Sequence, residues 1–148
     1  MTRPVDAQAE NFVVDCKVGR LVQTRLRSLQ NARQVMQVQI AMAQALERAG
    51  KGAVVCSDWR MVDVFSPEVC DALVTMLTVT SGLVRRGAIL LQPQKATFSL
   101  QVERVLRDGH NPERRSFRDS EKLLTWLAEV LEPGELTCAS YFLASGDE

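Results

Sequence analysis

Residues 53–70 read AVVCSDWRMVDVFSPEVC. The run AVVC at 53–56 is short and continuously apolar, as suits a strand buried on both faces. A loop carrying Asp58, Trp59, Arg60 and Asp63 follows. Ser66, Pro67 and Glu68 then all fit a helix start. A serine oxygen can accept from an early helix N–H, worth about 1 kcal/mol. Proline suits the first helical position, because its missing N–H would have been unpaired anyway. An acidic residue in the first turn complements the helix dipole. Beyond it, Val69, Leu73, Met76, Leu77, Thr80 and Leu83 recur at helical spacing and stop before Gly87. A second apolar run, AILL at 88–91, supplies another buried strand. Strand, helix and strand in this order predict a right-handed crossover between parallel neighbours.

Toward the N-terminus, Val14, Cys16 and Val18 alternate with Asp15 and Lys17. After Gly19-Arg20, Val22, Thr24 and Leu26 alternate with Gln23, Arg25 and Arg27. Period two on both sides of a short Gly-led turn predicts a β-hairpin. Its charged side reads as solvated. Asn31 can cap a helix in which Val35, Val38, Met42, Ala45, Leu46 and Ala49 form one stripe and Gly50 the stop. Met36, Ile40 and Ala43 widen that helix's apolar face, which predicts a homodimer.

Toward the C-terminus, Phe98, Val102, Val105 and Leu106 mark a shorter helix ending near Gly109. RRSFRD gives a brief strand at Ser116 and Phe117, and Asp119 can cap a last helix bearing Leu123, Leu124, Trp126, Leu127, Val130 and Leu131. Pro133-Gly134 reads as its end. The expected organisation is a flexible N-terminus over 1–11, one α/β domain over 12–131 and a tail over 132–148. The tail's Tyr141, Phe142 and Leu143 are apolar enough to dock somewhere.

The chain has 148 residues, suited to one domain. With 18 basic and 18 acidic residues the formal net charge is zero, which argues against a general nucleic-acid binder. No stretch reaches the length of a membrane span, and MTRPVDAQAEN lacks the apolar run of a signal peptide. Cys16, Cys56, Cys70 and Cys138 form no CxxC pair and read as buried thiols of a reducing cytoplasm. His110 is the only histidine; with no activated nucleophile and no ligand spacing, neither catalysis nor a metal or cofactor site is expected. Arg114, Arg115, Arg118 and Lys122 form a local basic cluster, with Arg85 and Arg86 elsewhere. They read as a solvated face or, more sharply, as a surface for an acidic partner or a lipid headgroup.

The element order, the run from strand 53–56 through an Asp-containing loop to Ser66, the AILL strand and the late pattern RRSFRDSEKLLTWL together resemble the STAS family. That is the fold of the bacterial anti-sigma factor antagonists typified by SpoIIAA. The resemblance implies a mixed sheet of about five strands opened by a hairpin, with about four helices packed mainly on one face. It implies a noncatalytic regulatory module that binds a protein through the loop and helix start at 58–68, with Asp58, Trp59, Arg60, Asp63, Ser66 and Glu68 as contacts. In that family an Asp-Ser-Ser/Thr-Gly run is phosphorylated at the helix start. Here the run falls on Phe65, Ser66, Pro67 and Glu68, so Ser66 matches the first hydroxyl position and the usual phosphoacceptor position is Pro67. The resemblance thus leaves three readings: a regulatory module, an anti-sigma factor antagonist with a serine-kinase partner, or a carrier of a small ligand or lipid. Ser66 is a helix cap or a phosphorylation site; Trp59 is a partner anchor or a ring tucked over the core edge.

Overall fold

The computed structural model describes residues 7–9 and 11–146. Most of the stretch read as a flexible N-terminus, 1–6 and 10, lies outside the described residues. The elements run β1 (Ala7–Ala9), β2 (Phe12–Val18), β3 (Leu21–Leu26), α1 (Ala32–Ala49), β4 (Ala53–Asp58), α2 (Pro67–Thr80), β5 (Val84–Leu90), α3 (Ala96–Asp108), β6 (Arg114–Phe117), α4 (Ser120–Ala128) and α5 (Pro133–Ser145). The sheet is mixed and ordered β1-β2-β3-β4-β5-β6. β1, β2 and β3 pair antiparallel, and β3 to β6 pair parallel. Five of these strands follow the sequence pattern; the three-residue β1 adds an edge.

The hairpin turns at Gly19-Arg20, where Gly19 takes φ +53. A Cβ there would also strike the Glu135 carboxylate, so the position demands glycine twice over. Asn31 caps α1 by accepting from the Gln34 N–H at 3.0 Å, and Gly50 ends the helix at φ +78. β3, β4 and β5 are each followed by a crossover helix, and these helices, α1, α2 and α3, share one face of the sheet, where Val38, Leu73, Phe98 and Val102 are buried.

The other face differs from the sequence reading. Residues 133–145, read as part of a tail, form α5, which packs with α4 over Leu21, Val54, Cys56, Ala88 and Leu90. Around Asp15 and Gln23 the charged side of the hairpin is therefore covered rather than solvated, while Lys17 at its end stays exposed. Asp15 and Gln23 are 5% and 3% exposed, and each finds a partner. Gln23 Nε2 donates to Asp15 Oδ1 at 3.0 Å, and the Cys138 thiol of α5 donates to Gln23 Oε1 at 3.4 Å. A register shift in β2 between Asp15 and Val18 breaks the alternation, leaving Val18 exposed.

Candidate functional site

β4 ends on Asp58, which is buried. Two arginines neutralise it. Arg60 donates to Asp58 Oδ1 from its backbone N at 3.1 Å and from Nε at 2.9 Å, and to Oδ2 from Nη2 at 3.0 Å. Arg25, from β3, donates from Nε to Oδ2 at 3.2 Å. Burial alone would raise the Asp58 pKa, but hydrogen bonds and charge from Arg60, then Arg25, outweigh it and hold the carboxyl below its usual range. Both guanidiniums also reach the end of α5. Arg25 Nη2 donates to Phe142 O and Arg60 Nη2 to Leu143 O, each at 2.6 Å. Cations at a helix C-terminus complement its dipole and satisfy its orphan carbonyls. Arg25 stacks over the Phe142 ring at 4.2 Å. Gly146 completes the junction: a Cβ there would run into Asp58 Oδ2 and Arg25. Asp58 and Arg60 thus form a clamp on the C-terminal helix.

Trp59 is 3% exposed and packs edge-on to Phe65 at 5.7 Å, and Phe65 does the same to Phe98 at 5.0 Å. Of its two sequence readings the core one describes it; it offers no exposed ring to a partner. The anchor reading fails because the backbone continues β4's alternation past Asp58, which turns residue 59 under the helices.

The rest of the loop is pinned from beneath. Lys95 Nζ donates to Arg60 O at 3.0 Å and Val62 O at 2.9 Å, and pairs with the exposed Asp63 at 2.9 Å. The Gln101 side chain accepts from Phe65 N at 2.9 Å and donates to Phe65 O at 2.8 Å. Ser66 caps α2, its Oγ accepting from Val69 N at 3.2 Å. Glu68 Oε2 accepts from Ala32 N at 2.9 Å, tying the start of α2 to the start of α1. Between these fixed points Met61 and Val64 stand outward, 51% and 57% exposed. The Gln101–Phe65 pairing brings exposed Leu100 of α3 to the same end of the molecule. Of the six residues read as one contact surface, Asp63, Ser66 and Glu68 are exposed, whereas Asp58 and Trp59 are buried and Arg60 nearly so.

Sequence reasoning missed Arg25, Lys95 and Gln101, the long polar side chains that fix this loop. Nothing in a local pattern marks them, because each acts on a segment more than thirty residues away. The basic cluster also divides. Arg114 is not on a solvated face. Its Nη1 donates to Leu77 O at 2.6 Å and Nη2 to Thr80 Oγ1 at 2.8 Å, closing the end of α2, and burial pushes its pKa down to about 10. Arg86 and Arg115 lie over the Trp126 ring at 4.3 and 4.9 Å. Arg118 makes an exposed pair with Glu103. His110 is exposed just past α3, at φ +56. The four cysteines are free thiols; Cys16 and Cys56 are buried, and burial pushes Cys56 up to about 12, which makes it inert.

Among solved structures, the chain is similar to an uncharacterized protein of the DUF3478 family from Shewanella loihica PV-4, whose crystal structure is described as having a SpoIIAA-like fold. The likeness covers 86% of this chain and 98% of that one, with a TM-score of 0.58 and 15% sequence identity. The fold is SpoIIAA-like. At that identity the likeness carries the architecture alone. No family model and no curated protein matches the chain. In a SpoIIAA-like sheet the segment from Asp58 to Ser66 sits at the carboxyl end of a central parallel strand, where open α/β sheets place their binding loops. Among the described residues no helix is long and apolar enough to cross a membrane.

Proposed function

We propose that this SpoIIAA-like domain is a noncatalytic regulatory module that binds a protein partner through the β4–α2 loop. The observation that carries the reading is the exposure of Met61 and Val64 on a loop whose backbone is held by Lys95 and Gln101. Apolar side chains presented by a preorganised backbone lose little entropy on docking. The contacts shift accordingly from the earlier set: Met61, Asp63, Val64, Ser66 and Glu68 form the surface, and Asp58, Trp59 and Arg60 hold it in place. Ser66 is exposed, so a kinase could reach its hydroxyl. A phosphate there would lie at a helix N-terminus, where negative charge is favoured. That supports the finer reading of a phosphorylation-controlled antagonist.

The test is recovery of the protein from its own host, as wild type and as the double variant Met61→Asp, Val64→Asp. The expected result is one stoichiometric partner with the wild type, absent with the variant, both chains keeping the same circular dichroism. A partner recovered equally with both would reject the loop as the surface. Intact mass of the recovered chain reads phosphate at Ser66. Sedimentation of the pure protein reads self-association, which the exposed Met36 and Ile40 of α1 favour.

A further inference from the structure

The two sides of α1 carry different patterns. Val35, Val38, Met42 and Ala45 are buried on the side that packs into the molecule. On the opposite side stand Arg33, Met36, Ile40, Ala43 and Glu47, all exposed. They follow one another in alternate steps of three and four residues, the spacing of a coiled-coil seam. At 3.6 residues per turn the five fall within about 80° of the helix circumference. Met36 and Ile40 are 53% and 55% exposed. Arg33 and Glu47 close the two ends of the stripe with opposite charges, and neither makes an ion pair among the described residues. Beside the C-terminal part of the stripe, an open groove runs between α1 and the chain just past α2. Ala43 and Glu47 line one side, and Gly82 and Leu83 the other. Gly82 has open space where a side chain would stand, and Leu83 is exposed.

The stripe is complementary to itself when reversed. Ile40 is seven residues from Arg33 and seven from Glu47, about 10.5 Å along the axis in either direction. A two-fold axis through Ile40 therefore sets Arg33 of one protomer against Glu47 of its partner at both ends, and Met36 against Ala43 beside the groove. A parallel pairing would instead set Arg33 against Arg33 and Glu47 against Glu47. We propose that this chain forms an antiparallel two-fold dimer through α1. Ile40 meets Ile40 at the centre, Met36 seats in the groove between Ala43 and Leu83, and an Arg33–Glu47 ion pair closes each end. The dimer rests on α1 and not on the β4–α2 loop, but it decides where the two loops lie. Glu68 at the start of α2 accepts from Ala32 at the start of α1, so the loop sits at the N-terminal end of α1. Antiparallel helices place the two loops at opposite ends of the dimer, where each is free to take its own partner.

The experiment is sedimentation equilibrium of the pure protein and four variants. A single helix seam is at the small end of specific interfaces, so the wild type should dimerise with a dissociation constant of about 10–100 µM. Ile40→Asp should stay monomeric. Arg33→Glu and Glu47→Arg should each weaken the dimer about tenfold, because each turns two attractive pairs into two repulsive ones. The double variant Arg33→Glu, Glu47→Arg re-forms both pairs with their signs exchanged and should recover the wild-type constant. These side chains are exposed, so every variant should keep the wild-type circular dichroism. Met61→Asp, Val64→Asp should dimerise as the wild type does, which separates this surface from the loop. A wild type still monomeric at about 500 µM, or a dimer that survives Ile40→Asp, would overturn the proposal. Single charge variants that associate as tightly as the wild type, or a double variant that does not recover, would overturn the antiparallel pairing.

Discussion

The two faces of the sheet differ in how they hold buried polar groups: one pairs its charges, the other leaves a few groups without a partner. Under α4 and α5 each buried carboxylate or amide is paired: Asp58 with Arg25 and Arg60, Glu135 with Arg20, Asp15 with Gln23. Under α1, α2 and α3 the Thr24 and Thr80 hydroxyls are bonded, but the Trp59 indole and the Ser99 hydroxyl have no partner, and Arg114 is bonded only to neutral oxygens. The difference follows from how each face was covered. Crossover helices α1, α2 and α3 pack by apolar stripes, which exclude water but offer few acceptors. Helix α5 arrives last in the chain and is tied on by charge. A paired buried ion is costly to disturb by halves, because removing one partner strands the other. An unpaired group costs nothing further to remove.

The largest expected effect comes from breaking the paired face. Asp58→Asn leaves Arg25 and Arg60 facing each other in a buried site and should cost about 3–5 kcal/mol in urea unfolding. Because the folded Asp58 pKa is lowered, its contribution is fully present above the ordinary carboxylate pKa of about 3.9 and is lost as pH falls through the folded value. The gap between wild type and Asp58→Asn should therefore be constant near neutrality and close in acid. Glu135→Gln comes next. Its carboxylate accepts from Arg20 N at 2.8 Å, Arg20 Nη2 at 2.9 Å and Glu132 N at 2.8 Å, which lowers its pKa against the pull of burial. The loss should be about 1.5–3 kcal/mol, the range for charged hydrogen bonds. Gly146→Ala forces a methyl onto the Asp58–Arg25 pair and should cost about 1–3 kcal/mol. Smallest is the contrast on the other face. Ser99→Ala removes a buried, unpartnered hydroxyl and should be neutral or stabilising by up to about 1 kcal/mol. A clear loss in that variant would mean the two faces do not differ as described.

Two proline-led helix starts show how much of this was legible. Ser66-Pro67-Glu68 announced α2 because its three residues make their case within one turn: the cap accepts from Val69, and proline and glutamate follow. Glu132-Pro133-Gly134-Glu135 starts α5 with the same proline at the first position and the same acid in the first turn. It read as a stop because glycine follows proline, and because the preceding residue is a glutamate rather than a serine. What fixes this second start is distant: Glu135 serves Glu132 and also Arg20 of the hairpin turn. Missing α5 had two consequences downstream. Without a helix to cover it, the Asp15, Gln23 and Arg25 side of the hairpin looked like a solvated face, and Asp58 and Arg60 looked free for a partner. Strands, crossovers and the SpoIIAA-like order were carried by periodicity and short turns, which are local. The clamp was not, since Arg25, Asp58 and the carbonyls of Phe142 and Leu143 meet only in the folded chain.

The claim on which the rest stands is that Asp58 belongs to the scaffold, locking α5 to the sheet and leaving Met61 and Val64 as what the loop presents. Hydrogen exchange on the backbone amides of α5, in wild type and in Asp58→Asn, tests it most directly. The account predicts slow exchange across Leu136 to Leu143 in the wild type and a selective loss of that protection in the variant, with α1 and α2 protected longer than α5. Rapid exchange of α5 in the wild type, or equal protection of α5 in both proteins, would contradict it.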